Sequence, residues 1–274
     1  MELTWLESLI YGLLSGLSEF LPISSRAQQT LLLKLLGKEW DPISSLAVHI
    51  GMVLAVLFSC ANYISKLSRE RRIASTPRAK RKRQPELKSI LDLRLLRIAG
   101  ISVVLFFAAY PFVGFIGNQL LLLAVVMIVN GIILYLPPYF PRANKDSLSL
   151  SGLDGFLIGA GCGLGVIPGI SWLGGALTMA QLRGSDRRYA LDFALLLAIP
   201  AAAIWMGFDI YGIVTASYIR FHLLKFLIVG AAAFGGGCTG IFCMRFLSVR
   251  SGFSGFSYYC WGAALMALIL YLLT

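Results

Sequence analysis

Two short runs place carboxylate, hydroxyl and glycine amide groups inside otherwise apolar sequence: Gly16-Leu-Ser-Glu-Phe-Leu-Pro-Ile-Ser24 and Gly163-Leu-Gly-Val-Ile-Pro-Gly-Ile-Ser171. Each opens with Gly-Leu, closes with Ile-Ser, and keeps the same Gly-to-Ser separation. Ser25 and Arg26 follow the first run, Trp172 follows the second, and His49 lies in the next apolar segment. Glu19 and His49 could move protons. Ser24, Ser25, Arg26, Gly169 and Ser171 could hold an anion, helped by the positive N-terminal ends of half-helices at such breaks. Non-helical backbone at membrane depth is tolerated only inside protein or against a cavity. Matched interruptions in two halves of a chain therefore point to a binding site near the bilayer midplane.

The elements that must carry these residues are apolar and long. The chain has 274 residues, 58% hydrophobic and 14% charged, against about 45–50% and about 25% in a soluble domain. Apolar segments run over about 43–63, 95–116, 120–136, 190–210, 223–247 and 255–273. Each approaches the roughly 20 helical residues needed to cross a hydrocarbon core. Cys60, Cys162, Cys238, Cys243 and Cys260 are scattered through apolar sequence without a CxxC pair. They read as small buried hydrophobes, and with two histidines in the chain no histidine-rich metal centre is expected.

The net charge of +11 is concentrated. Lys66, Arg69, Arg71, Arg72, Arg78, Lys80, Arg81, Lys82, Arg83 and Lys88 crowd one loop, 64–94. Beside membrane spans such a loop is cytoplasmic, with anionic lipid headgroups as a natural contact. Nucleic acid is not an expected partner, because the basic run lacks aromatic residues for stacking. With this loop inside, Arg142, Lys145, Arg183, Arg187, Arg188, Arg245 and Arg250 fall on the same side when 1–36 and 152–182 each dip in and return. Both termini then lie outside. The expected fold is an all-α polytopic membrane protein with an inverted-topology repeat, each half a re-entrant helical hairpin plus three transmembrane helices, over 1–136 and 152–274.

At this point the sequence resembles the undecaprenyl-pyrophosphate phosphatases of bacterial cell-wall synthesis. Gly16 to Ser25 is similar to the family motif E-G-x-T-E-F-L-P-V-S-S, and His49-Ile-Gly-Met-Val-Leu-Ala-Val-Leu57 to H-x-G-T-L-L-A-V-L. Pro168-Gly-Ile-Ser171 resembles the start of P-G-x-S-R-S-G. Gly184 to Pro200 resembles G-x-S-R-x-x-A-x-x-F-S-F-L-L-A-I-P. The resemblance implies a polyprenyl phosphate or diphosphate lipid as ligand, a divalent cation (Mg or Ca) as cofactor, and a multi-pass position in the cell membrane. A homodimer is compatible with it.

Several family positions are replaced. The first carboxylate is Ser15, the histidine after the serine pair is Gln28, and the arginine of P-G-x-S-R is Trp172. The next serine is Leu173, a threonine is Ala176, and a C-terminal arginine is Cys260. Cleaving a diphosphate requires the growing charge to be clamped and protons to be moved. Neither tryptophan nor leucine replaces a bidentate guanidinium. Glu19, Ser24, Ser25, His49, Pro168, Gly169 and Ser171 survive, and Arg26 stands where the family carries an uncharged residue. Arg26 could take over phosphate binding, or it could pair with Glu19 or snorkel to the interface. Glu19, His49 and Ser25 are the catalytic candidates if hydrolysis persists. His49 could equally be a hydrogen-bonded core residue, and Asp192 a helix cap. The pattern favours a protein that holds the lipid at a midplane site with hydrolysis lost or altered, and that could carry it between leaflets. The alternatives are an active phosphatase rebuilt around Arg26, and a scaffold whose site has decayed.

Overall fold

A computed structural model describes residues 3–140, 145–216, 221–250 and 253–273. Met1, Arg142, Thr274 and the side chain of Arg250, which enter the topology reasoning above, lie outside the described set. The described chain is all-helical apart from one isolated bridge between Lys145 and Ser185.

Helix α1 (Trp5–Glu19) opens with a capping box, in which Thr4 and Glu7 satisfy each other's backbone N–H groups. It stops at the first polar run, and α2 (Ser25–Leu35) restarts after a tip of residues 20–24. Asp41 caps α3 (Pro42–Ser59), with the proline at the helix start where no N–H is needed. The second run is built the same way. A Ser151–Asp154 capping box opens α8 (Gly152–Gly163), a 3-10 turn carries Leu164–Val166, and α9 (Trp172–Leu182) begins with Ser171 as its cap. The remaining long elements are α5 (Leu87–Phe107), α7 (Leu120–Tyr135), α10 (Arg187–Thr215), α11 (Leu223–Arg250) and α12 (Phe256–Leu273). Short α6 (Tyr110–Val113) continues α5 after a bend of 47°. Among the described residues, five helices are long and apolar enough to cross a membrane, or six when the bent pair counts as one span. The outward surface carries Phe58, Leu105, Phe112, Phe242 and Leu272, as lipid contact requires. This is a multi-pass membrane protein.

Two local features differ from the sequence-based reading. Much of 64–94 is helical, over α4 (Ala61–Ser75) and again from Leu87. Arg, Lys, Glu and Leu are good helix formers whatever their charge. The arm beyond α4 folds back because buried Glu70 accepts hydrogen bonds from Arg83 and from the Glu86 N–H. Asp192 does not cap α10. Asp186 does so through the Tyr189 N–H, and Asp192 pairs with Arg245 at 3.3 Å.

The packing is reciprocal. α1 lies on α11, α8 lies on α5, α3 sits between α10 and α11, and α7 pairs with α12. Both hairpin contacts are backbone-close: a Cβ on Gly16 would sit 2.1 Å from the Ala233 carbonyl oxygen, and one on Gly159 would sit 2.2 Å from that of Ala99. Small residues allow this approach where no hydrophobic effect drives helices together in lipid. Cys60, Cys162 and Cys260 are buried free thiols, and Cys238 and Cys243 are partly buried.

Candidate functional site

The two tips meet inside the bundle. Ser24 is the only non-glycine residue with positive φ (59°) among the described residues, and its Oγ accepts the Gly169 N–H at 3.1 Å. Gly169 itself has φ 105°, and a Cβ there would come within 2.7 Å of Val126. Asn130 on α7 ties both tips: its Oδ1 accepts the Ser171 N–H at 2.9 Å, and its Nδ2 donates to the Pro22 carbonyl at 3.3 Å. The Ser171 hydroxyl caps α9 by accepting the Gly174 N–H at 3.1 Å. Backbone strain of the Ser24 kind costs on the order of 1–3 kcal/mol and persists where surrounding contacts over-determine it.

Beside this junction lies a pocket lined by Glu19, Ser24, Ser25, Arg26, Gln29, His49, Gly165, Ile170, Trp172 and Trp205. Of the residues singled out in the sequence, Glu19, Ser24, Ser25, Arg26 and His49 come together here. Gly169 and Ser171 stand behind the lining, their polar groups engaged in bracing the tips. Ser24 places no side-chain cap on α2, and Ser24, Ser25 and Arg26 at the start of that helix line the pocket. The N-terminus of α9 is closed by its own serine.

Glu19 is the single carboxylate of the lining, and both of its oxygens are engaged. The Ser25 hydroxyl donates to Oε1, and the Trp172 indole N–H donates to Oε2 at 3.1 Å. Gln29 donates to the Ser25 Oγ at 3.0 Å and is itself held by the Tyr11 hydroxyl at 3.4 Å. Arg26 does not pair with Glu19. Its guanidinium lies 4.5 Å from the Trp205 ring and 5.6 Å from that of Trp40. The ring of His49 stacks on Trp205 at 6.1 Å, and its Nδ1 lies 2.6 Å from Asp209 Oδ2.

The replaced family positions fall in two places. Trp172 is in the pocket, a neutral donor on Glu19. Gln28 turns away, accepting from the Tyr259 hydroxyl at 2.8 Å and donating to the Ile23 carbonyl. Cys260 lies 3.2 Å from Asn130 Nδ2, and Ser15 is buried with no partner for its hydroxyl. The described residues hold no group of three or more His, Cys, Asp or Glu that could bind a metal ion, and Glu19 already accepts two hydrogen bonds. Among the described residues, the donors at the pocket do not by themselves form a site for a resident divalent cation.

Asp209, Trp205, Gln29 and Asn130 were missed in the sequence. Asp209 carried a signal, an acidic residue in the last turn of an apolar segment, where ionisable groups are rare and usually functional. Trp205 stands four residues earlier on the same face of α10.

Apolar helices around a polar pocket, with broken helices meeting at its wall, define a polytopic membrane protein. The comparisons give the family. The profile described as Bacitracin resistance protein BacA matches residues 8–266, and the chain belongs to that family. An "Undecaprenyl-diphosphatase" of Halothermothrix orenii is 28% identical over 264 residues, covering 94% of this chain and 95% of its own length. Another, of Clavibacter michiganensis, is 29% identical over 258 residues, with 91% and 90% covered. One from Prochlorococcus marinus is 34% identical over 210 residues, with 73% and 74% covered.

Proposed function

We propose that this protein binds the phosphate or diphosphate head of a polyprenyl carrier lipid in the pocket where the tips meet, with hydrolysis lost or altered. The observation that carries the reading is the position of Arg26. Its guanidinium enters the pocket beside Ser24, Ser25 and the uncapped start of α2, and aromatic rings rather than a carboxylate hold it. Glu19, fixed by Ser25 and Trp172, shapes the floor. The halves 1–136 and 152–274 form an inverted repeat, which the reciprocal packing of α1 on α11 and α8 on α5 supports. Loop 64–94 faces the cytoplasm and both termini lie outside. Repeats that rock around a midplane site can pass a ligand between leaflets, and lipid translocation is the activity this architecture favours.

One observation favours a second reading, an active diphosphatase. Ser25 is hydrogen-bonded to a carboxylate, and an imidazole oriented by Asp209 lines the same pocket. A nucleophile beside a base, with a third group orienting a proton carrier, is the minimal constellation for phosphoryl transfer. Both readings are tested by purified protein in detergent, given a long-chain polyprenyl diphosphate with and without Mg²⁺ or Ca²⁺. Lipid binding without phosphate release supports the first. Release abolished by Glu19→Ala and Arg26→Ala establishes the second. No binding at all defeats both.

A further inference from the structure

His49 and Asp209 come from different halves of the sequence, on α3 and α10, yet form the tightest polar contact that joins those helices. Both side chains are almost wholly buried, at 6% and 1% exposure. With Nδ1 on the Asp209 carboxylate, the ring has one polar atom left, Nε2. Among the described residues Nε2 has no partner, and His49 is part of the pocket lining. Stacking on Trp205 fixes the ring plane, and Trp205 also carries the Arg26 guanidinium. The geometry therefore aims one exchangeable nitrogen and one permanent cation into the same small space.

The charged neighbours can be enumerated. α10 contributes Asp209, α2 contributes Arg26, α1 contributes Glu19 and Tyr11, and the start of α3 contributes Asp41. α11 brings Arg245 against the far end of α3, on the Ser59 carbonyl and Asp192, and carries no Asp, Glu, Lys, Arg or His from 226 to 244. The pocket and its immediate partners bring the acidic side chains Glu19 and Asp209 together with one permanent cation, Arg26. That balance opposes an incoming phosphate. One proton on Nε2 offsets it and places a charge-assisted donor at the ligand.

We propose that His49, with Asp209 as its positioning residue, is the proton-loading group of the pocket, so that the site takes up one proton together with a lipid phosphate. The inference rests on the lipid-phosphate reading above. Before binding, the ring is neutral, its Nδ1–H donated to Asp209. On binding, Nε2 acquires a proton from solvent and donates it in a hydrogen bond to a phosphate oxygen. No covalent bond is made or broken, and release of the phosphate returns the proton. The role is independent of hydrolysis.

The test uses purified full-length protein in detergent and a polyprenyl monophosphate as probe. Titration calorimetry in two buffers of different ionisation enthalpy measures protons exchanged on binding. The wild type is expected to take up about one proton more than His49→Gln, whose affinity is on the order of tenfold weaker. Nitrogen-15 NMR of the two histidines reads the tautomer without ligand. Wild-type His49 carries its proton on Nδ1, whereas Asp209→Asn, which offers an amide donor instead of an acceptor, moves it to Nε2. Equal proton uptake in wild type and His49→Gln, with binding intact, overturns this proposal and leaves lipid binding standing. An unchanged tautomer and affinity in Asp209→Asn removes the positioning role. A wild type that binds no lipid phosphate refutes the underlying reading and this proposal with it.

Discussion

Trp172 donates its indole N–H to Glu19 Oε2 across 3.1 Å, joining the first residue of α9 to the last residue of α1. In the family pattern this position on α9 is an arginine. Here a neutral donor at this position meets Glu19, and the positive charge enters the pocket from α2. A displaced cation makes a specific expectation. Arg26→Ala should weaken polyprenyl-phosphate binding by at least about tenfold, the equivalent of one charge-assisted hydrogen bond. Adding Trp172→Arg to Arg26→Ala should recover part of that loss, measured by the same equilibrium binding assay. Failure of the double variant to improve on the single one would show that the two positions are not interchangeable sources of charge.

Lysine should not replace Arg26. The guanidinium lies over the Trp205 and Trp40 rings, and a compact, strongly hydrated ammonium is a poorer partner for two aromatic faces. Arg26→Lys is expected to bind the lipid less tightly than wild type and with steeper salt dependence.

The tips should be intolerant of a methyl group. Gly169→Ala combines a left-handed φ with a Cβ that would lie 2.7 Å from Val126. It is expected to lower the thermal midpoint in detergent, with a cost of about 1–3 kcal/mol for the strained residue alone. Loss of lipid binding should accompany the melt, because Gly169 holds Ser24 in the pocket wall.

Gly16 and Gly159 should behave as a pair. Each presses its helix against a carbonyl of the opposite half. Gly16→Leu and Gly159→Leu are expected to reduce folded yield to similar extents, scored by detergent-stable monodisperse protein. A large effect at one site and none at the other would argue against the inverted repeat.

In the basic arm, the Arg83 hydrogen bond and the Glu86 N–H hold the Glu70 carboxyl down at about 2, below its ordinary value of 4.5. A depressed carboxyl stabilises the folded arm at neutral pH and loses that effect as pH falls through the acid range towards 2. Hydrogen exchange across 61–86 should therefore be slow at pH 7, after correction for intrinsic rates. It should be faster at pH 3, and Glu70→Gln should reproduce the fast behaviour at pH 7.

Much of this molecule could be read from its residues because membrane constraints are severe. Apolar length marks the crossing helices, and paired Gly-Pro-Ser interruptions mark the two tips. Glu19, Ser24, Ser25, Arg26 and His49 were legible as candidates because polar groups among apolar neighbours stand out. Their partners were not. Asp209 lies 160 positions from His49, and nothing local to either residue encodes their 2.6 Å contact. Trp205 looks like lipid-facing bulk until α10 is laid beside α3. Ser171 looked like a ligand donor and is a helix cap, since hydroxyls at helix starts suit both roles. The basic segment read as a loop because charge signals sidedness, while its helicity follows from separate propensities.

The Asn130 amide has a further consequence. It receives an N–H from one tip through its oxygen and gives an N–H to a carbonyl of the other through its nitrogen. One planar group thus reads the polarity of both strands of irregular backbone at once. Aspartate would set a second acceptor against the Pro22 carbonyl, and leucine would strand the Ser171 N–H and leave that carbonyl to the Cys260 thiol at 3.8 Å. A one-residue slip of either tip would present a like group to the amide. Asn130 therefore works as a register mark, fixing which residue of each tip faces the ligand before any ligand arrives.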